Sequence, residues 1–393
     1  ALPISVAVSS SLSLQPKEHR ICDDTKNNFY GESVMKSRNK THISDNYPKL
    51  HQYLTLIAFA ASILIMIASA ATRSQAADFY PATTADLINA VKVAEANGQD
   101  DVIYLLPYGV YKLTSTDNGE NGFPKITTKI RVVGNGAVIE RDASAPTFRF
   151  FELSSPGNLT LENLTLRGGK TAGWGGAAIF NVGAELTLLS SVFENNLVDG
   201  KYVNASGGAV YNWQGKTTID RCTFRNNTAP AGGGFASDGN PYSPPPSTQV
   251  ANVTITNSSF VYNSATLAYN NAGGMGGGLM LRGAHNADIT NVSVLYNKSA
   301  YLGGGIMLHT LAQKDDLLNS LHAKFTNLTV VGNRATGIGG GIYWTACGAL
   351  SCPIDGALRR WAPGVRDSLG TMPGTVSVLP SSITTGCSMP RAW

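Results

Sequence analysis

One pattern recurs six times along this chain, and it leaves few folds open. Its anchors are the apolar residues Leu166, Phe193, Phe224, Phe260, Val294 and Val330. Five residues before each stands another apolar one: Leu161, Leu188, Ile219, Ile255, Ile289 or Phe325. Three residues after each stands Gly169, Asn196, Asn227, Asn263, Asn297 or Asn333. Three before stands Asn163, Ser190, Arg221, Asn257, Asn291 or Asn327. A Gly-rich block then leads into Ile179, Val210, Phe235, Leu279, Ile306 or Ile342. Offsets around the anchor are fixed, but anchors lie from 27 residues (Leu166 to Phe193) to 36 residues (Phe224 to Phe260) apart, so the slack sits in loops.

Apolar spacing of two, in short pieces between Asn and Gly turns, describes strands. A repeat of this length marks a stack, in which each copy buries its apolar face only against its neighbours. Three strand-like pieces per copy predict an all-β fold, a single-stranded right-handed parallel β-helix (a solenoid). Asn suits the turns because it tolerates left-handed backbone and its amide can bond the same amide one copy on. Cys222 falls at an inward position and reads as a small core residue.

The same alternation assigns the outward positions. In the first strand these are Thr160, Thr187, Thr218, Thr254, Asp288 and Lys324, all polar. In the third they are Phe180, Tyr211, Ala236, Met280, Met307 and Tyr343. An apolar and aromatic stripe on an outward face marks a candidate binding surface, with Phe180, Tyr211, Met280, Met307 and Tyr343 as its residues. The competing reading is that loops fold over it. Trp174, Trp213 and Trp344 lie beside the same block.

Residues 77–156 read as an N-terminal cap and first irregular coils, 157–346 as six coils, and 347–393 as an irregular tail, which is a cap, a linker or a truncated end. The cap is a helix over 84–97: Thr83 or Thr84 caps it, Leu87, Val91 and Ala94 share a face, and Asn97-Gly98 stops it. Strand-like pieces follow at 102–106, 110–113, 130–133, 137–140 and 148–153. Residues 1–76 form a leader, whose uncharged apolar run at 53–71 follows Lys36, Arg38, Lys40 and Lys49. Small-residue exits follow at Ala68-Ser69-Ala70 and Ser74-Gln75-Ala76, as in a secretory signal peptide over about 35–76. The run is also long enough for an uncleaved membrane anchor. Met35 offers a start, which places residues 1–34 outside the native protein. Cys347 and Cys352 are close enough for a local disulfide in an oxidising compartment, and their spacing lacks the partners of a zinc site.

The net charge of +4 is modest and its basic residues are scattered, so no nucleic-acid footprint is present. Carboxylates in the coils are sparse: Glu162, Glu185, Glu194, Asp220, Asp238 and Asp288. Glu162 and Glu185 lie one coil apart but out of register, and glycoside chemistry needs carboxylates paired at short range. Asp315-Asp316, near His309 and Lys314, reads as a solvated loop. The runs GGMGGG and GIGGG lack the Asp of a Ca²⁺-binding repeat and the Lys-Ser/Thr of a phosphate loop. No catalytic residue, metal or cofactor is expected. NxS/T sites such as Asn158, Asn252 and Asn327 coincide with repeat positions.

The segments FENN, FRNN and FVYN, with GGAV and GGGI, resemble the FxxN and GGA[ILV] repeats of polymorphic outer-membrane proteins, which are autotransporter adhesins. The stretch with IRVVGNGAVIER and LTLENLTLRGG is similar to secreted β-helix proteins of the pectin-lyase-like superfamily. The resemblance covers about 78–346 and implies the fold rather than a chemistry. An autotransporter ends in a membrane β-barrel, and no such region follows here. Together these readings predict a secreted or cell-surface, non-enzymatic binding or adhesion module, monomeric, with a polysaccharide or cell-surface partner. A lyase or hydrolase of the pectin-lyase-like fold is the alternative.

Overall fold

The computed structural model describes residues 47–70, 76–199, 205–239, 250–267, 273–283, 285–309, 321–345 and 371–378. Cys22, Asp315, Asp316, Cys347, Cys352 and Cys387 lie outside them. The chain divides into two units, Ala1–Thr72 and Arg73–Trp393. The first holds helix α1, Tyr47–Ala70. Its side chains over 51–62 are exposed, Leu54, Leu56, Ile57 and Phe59 among them. Among the described residues, no helix is long and apolar enough to cross a membrane.

The second unit is mostly β, and its strands lie in three sheets. A typical copy places Glu185–Leu189 and Val192–Glu194 in the first sheet, Leu197–Val198 in the second and Val210–Trp213 in the third. Each strand pairs in parallel with the matching strands of the copies before and after. The register follows the sequence pattern residue by residue. Leu166 lies beside Phe193, then Phe224, Phe260, Val294 and Val330. Ile179 lies beside Val210, then Phe235, Leu279, Ile306 and Ile342. Thr371–Val378 runs antiparallel beside Leu321–Val331.

Two ladders hold that register. The first is apolar: Phe193, Phe224 and Phe260 stack with 4.8 Å between successive ring centroids, and all three are fully buried. The second is polar and equally buried. Asn196 donates from Nδ2 to Asn227 Oδ1 at 3.0 Å, Asn227 to Asn263 at 2.9 Å, Asn263 to Asn297 at 3.0 Å and Asn297 to Asn333 at 2.9 Å. Buried amides stay in a core only when their hydrogen bonds are made, and here each is. Gly169 takes the Asn position in the first copy because a Cβ there would stand 2.0 Å from Ala177 O. Cys222 is buried in the core, and burial pushes its thiol up to about 12.

The first-strand outward row runs in register from Thr160 through Thr187, Thr218, Thr254 and Asp288 to Lys324. A second outward row alternates in sign: Lys112, Glu140, Arg167, Glu194, Arg225. Lys112 Nζ lies 3.3 Å from Glu140, Arg167 Nε donates to Glu140 at 2.7 Å, and Arg225 Nε donates to Glu194 at 2.6 Å. Burial would push the Glu140 carboxyl up, but Arg167 and Lys112 together hold it below its ordinary value.

Helix α2 (Thr84–Asn97) buries Leu87, Ala90, Val91 and Ala94 against the core. Thr83 and Asp86 close a capping box, and Gly98 ends the helix in left-handed backbone at φ 66°. Strands Asp101–Tyr104 and Val110–Leu113 follow. Lys129–Arg141 is one strand, where the sequence predicts two pieces. Its pairing shifts between Val133 and Ala137, where Asn135 and Gly136 both take positive φ. The turn is thus absorbed as an irregularity inside a continuous strand.

Candidate functional site

The third sheet carries two outward rows, and the candidate site is built from both. The first is the predicted stripe. Glu152, Phe180, Tyr211, Ala236, Met280, Met307 and Tyr343 lie side by side in register. The alternation therefore brings Phe180, Tyr211, Met280, Met307 and Tyr343 together, but it does not leave them open to solvent. Phe180, at 7% the most exposed of the five, is still buried. The expectation of an open stripe is corrected for a physical reason. The segments just before the strand are bridged from copy to copy, and Ala231, Met275 and Leu302 are successive members of that row. Ala231 and Leu302 pack with the stripe as a second apolar cluster, outside the main core, with Met275 against it. Burying the row this way removes apolar surface that the sheet alone would expose.

The stripe's aromatic end is ordered. The Phe180 and Tyr211 rings stack at 5.2 Å and 4°. Trp213 lies parallel to Phe180 at 6.5 Å and 2°. The Arg149 guanidinium stands 5.2 Å over the Phe180 ring and pairs with Glu152 and Glu120, each at 3.1 Å. Burial holds the Arg149 guanidinium below its ordinary value, against the pull of the two carboxylates. Two indoles reach solvent at this end, Trp174 at 60% exposure and Trp213 at 40%. Trp344, by contrast, packs on the main core.

The second outward row runs Val182, Trp213, Asp238, Arg282, His309. Asp238 and Arg282 are both buried and form an ion pair, in which Arg282 Nε donates to Asp238 Oδ1 at 3.0 Å. The Tyr211 hydroxyl donates to Asp238 Oδ2 at 2.6 Å. Burial, and then the Asp238 charge, push the Tyr211 phenol well above its ordinary range. His309, the next in the row, is held below its ordinary value by burial and then by Arg282. Beneath this row a buried chain of hydrogen bonds crosses the copies. Asn181 Nδ2 donates to Asn212 Oδ1 at 2.8 Å, and Asn212 Nδ2 donates to Ser237 Oγ at 2.9 Å. His285 lies 2.8 Å from Ser237 Oγ through Nε2 and 3.2 Å from Gly283 O through Nδ1. The carbonyl can only accept, so Nδ1 carries the proton and Nε2 accepts from the serine hydroxyl. Burial drives the His285 imidazole down to about 4.

Asp238, Arg282, His309 and His285 were not picked out by sequence as a group. Their common signal is a fixed offset of three residues after the third-strand apolar position for Asp238, Arg282 and His309. Glu162 and Glu185 do not meet: Glu185 pairs with Asn158, and Glu162 with Leu189. Among the described residues, no group of His, Cys, Asp and Glu could hold a metal ion.

No known protein family matches this chain, and no characterised protein matches its sequence. Among solved structures, ORF18 of Geobacillus virus E2 is similar at 13% identity over 67% of this chain, with a TM-score of 0.31. This chain spans 56% of that protein's length. A likeness of that size carries no argument about fold or chemistry.

Proposed function

We propose that this protein is a secreted or cell-surface binding module built as a single right-handed parallel β-helix, and that it holds polysaccharide without turning it over. Three parallel sheets fed by one chain support the helix, and the strong right-handed preference of parallel crossovers supports its hand. The exposed apolar side chains of α1, after Lys36, Arg38 and Lys40, fit a signal peptide. The module acts as a monomer, without cofactor or metal.

The observation that carries the binding reading is the aromatic end of the third sheet. There Trp213 is fixed parallel to Phe180 yet open to solvent, with Trp174 exposed on the copy before. Rigid aromatic rings with one end buried and one wet are suited to binding. Most coil carboxylates are already committed, and Asp288 accepts from the Thr290 hydroxyl. Glu140, Glu152, Glu162, Glu185, Glu194, Asp220 and Asp238 each sit in an ion pair. A second reading, a polysaccharide lyase or hydrolase, draws on one feature, the row of Asp238, Arg282 and His309 with the Tyr211 hydroxyl bonded to Asp238.

The test incubates the full chain with a polysaccharide panel, polygalacturonate included, with and without Ca²⁺. Retention without new reducing ends or unsaturated products, weakened roughly tenfold in Trp213→Ala, is expected. Product formation that disappears in His309→Gln would replace binding with catalysis.

A further inference from the structure

A different corner of the stack presents a surface that the third sheet does not explain. The turn after each second strand places one residue in left-handed backbone. Along the copies these are Gly168, Asn195, Asn226, Tyr262, Tyr296 and Gly332, with φ between 54° and 76°. Gly and Asn are the residues that accept this conformation, and a bulky side chain there is strained. Two copies nevertheless carry tyrosine. Their rings stack at 5.4 Å and 17°, and both face solvent, Tyr262 at 58% and Tyr296 at 50%. Gly332 completes the arrangement: a Cβ there would stand 2.4 Å from the Tyr296 ring. Strain of this kind is retained where the side chain has work to do.

The neighbours change at the same copies. The outward row that alternates Glu140, Arg167, Glu194 and Arg225 continues as Val261, Leu295 and Val331. On the other side of the tyrosines, two residues further along each copy, Lys298 and Arg334 lie directly opposite one another in the second sheet. Both are exposed, and among the described residues no carboxylate pairs with either. Arg131, Arg167, Lys216, Arg221 and Arg225 each have one. Like charges set directly opposite on adjacent strands repel. An anion bridging them relieves that repulsion.

We propose that Tyr262, Tyr296, Lys298 and Arg334 form a docking ridge for an anionic polysaccharide, with Val261 and Leu295 as its apolar margin. This rests on the binding reading above and adds a second subsite with a charge preference. Successive copies stand about 4.8 Å apart, so the two cations present a repeating charge to a chain that carries repeating anions. The tyrosine rings contribute flat edges and hydroxyl donors, and the cations contribute the charge complementarity.

Dextran sulfate and neutral dextran test the ridge, because they share a backbone and differ in charge. Wild-type full-length protein should bind dextran sulfate, with affinity falling as salt rises, and should bind dextran at least about tenfold more weakly. Tyr262→Asn with Tyr296→Asn places in the turn the residue that Asn195 and Asn226 already use. That variant should keep or raise Tm while losing roughly tenfold in affinity for dextran sulfate. Lys298→Gln with Arg334→Gln should lose a similar factor and most of the salt dependence. Equal binding of both dextrans, or full binding by either double variant, would overturn the ridge and leave the Trp213 site standing. Binding to no polysaccharide at all would overturn both.

Discussion

Asn227 makes four hydrogen bonds with one amide. Its Oδ1 accepts from the backbone N and the Nδ2 of Asn196, both at 3.0 Å. Its Nδ2 donates to Phe193 O and to Asn263 Oδ1, both at 2.9 Å. Removing the amide takes the partner from the buried Asn196 N–H and breaks three further bonds to Asn196, Phe193 and Asn263, and each buried group left unpaired costs about 1–3 kcal/mol. Asn227→Ala should therefore destabilise the protein by about 3 kcal/mol or more, read as a lower urea midpoint at unchanged slope. An unchanged midpoint would remove the ladder from the account of stability. This residue was legible in the sequence, because its offset from the anchor never varies and an amide can bond the same amide one copy on. Tyr262 and Tyr296 were not, because the row they occupy shows itself only when backbone φ is known.

At the scale of the element, the third sheet departs most from what its sequence suggests. Alternation places Phe180, Tyr211, Met280, Met307 and Tyr343 in one row, but it cannot report that the preceding turn packs over them. The Asp238–Arg282 pair was hidden for a related reason. The partners are 44 residues apart, across a loop of variable length, and only the pairing of strands makes them neighbours. That pair sets a prediction for the sheet. Arg282→Met leaves Asp238 buried beside the Tyr211 hydroxyl with its charge uncompensated, at a cost of about 3–5 kcal/mol. Adding Asp238→Leu should recover most of that loss, because a well-packed apolar pair often replaces a buried ion pair without penalty. Thermal unfolding of the single and double variants decides it: equal Tm for both would mean the pair contributes nothing beyond its volume.

At the scale of the whole molecule, stability should fall on the acid side. His285 is fully buried and neutral, with its folded value near 4 against roughly 6.5 in an unfolded chain. The neutral imidazole contributes its full share above about pH 6.5, and that share is lost as pH falls toward 4. The gap corresponds to about 3 kcal/mol, and His309 acts in the same direction. His285→Gln should flatten the stability profile over that window, measured as urea midpoints against pH; an unchanged slope would assign acid sensitivity elsewhere. The row of Lys112, Glu140, Arg167, Glu194 and Arg225 has a consequence of another kind. Solenoids grow and shrink through duplication and loss of genetic segments. Excising the copy that holds Arg167 would set Glu140 against Glu194, and doubling it would set arginine against arginine. Along this row, sign alternation acts as a parity rule, so that lineages of such a protein should differ in length there by two copies at a time.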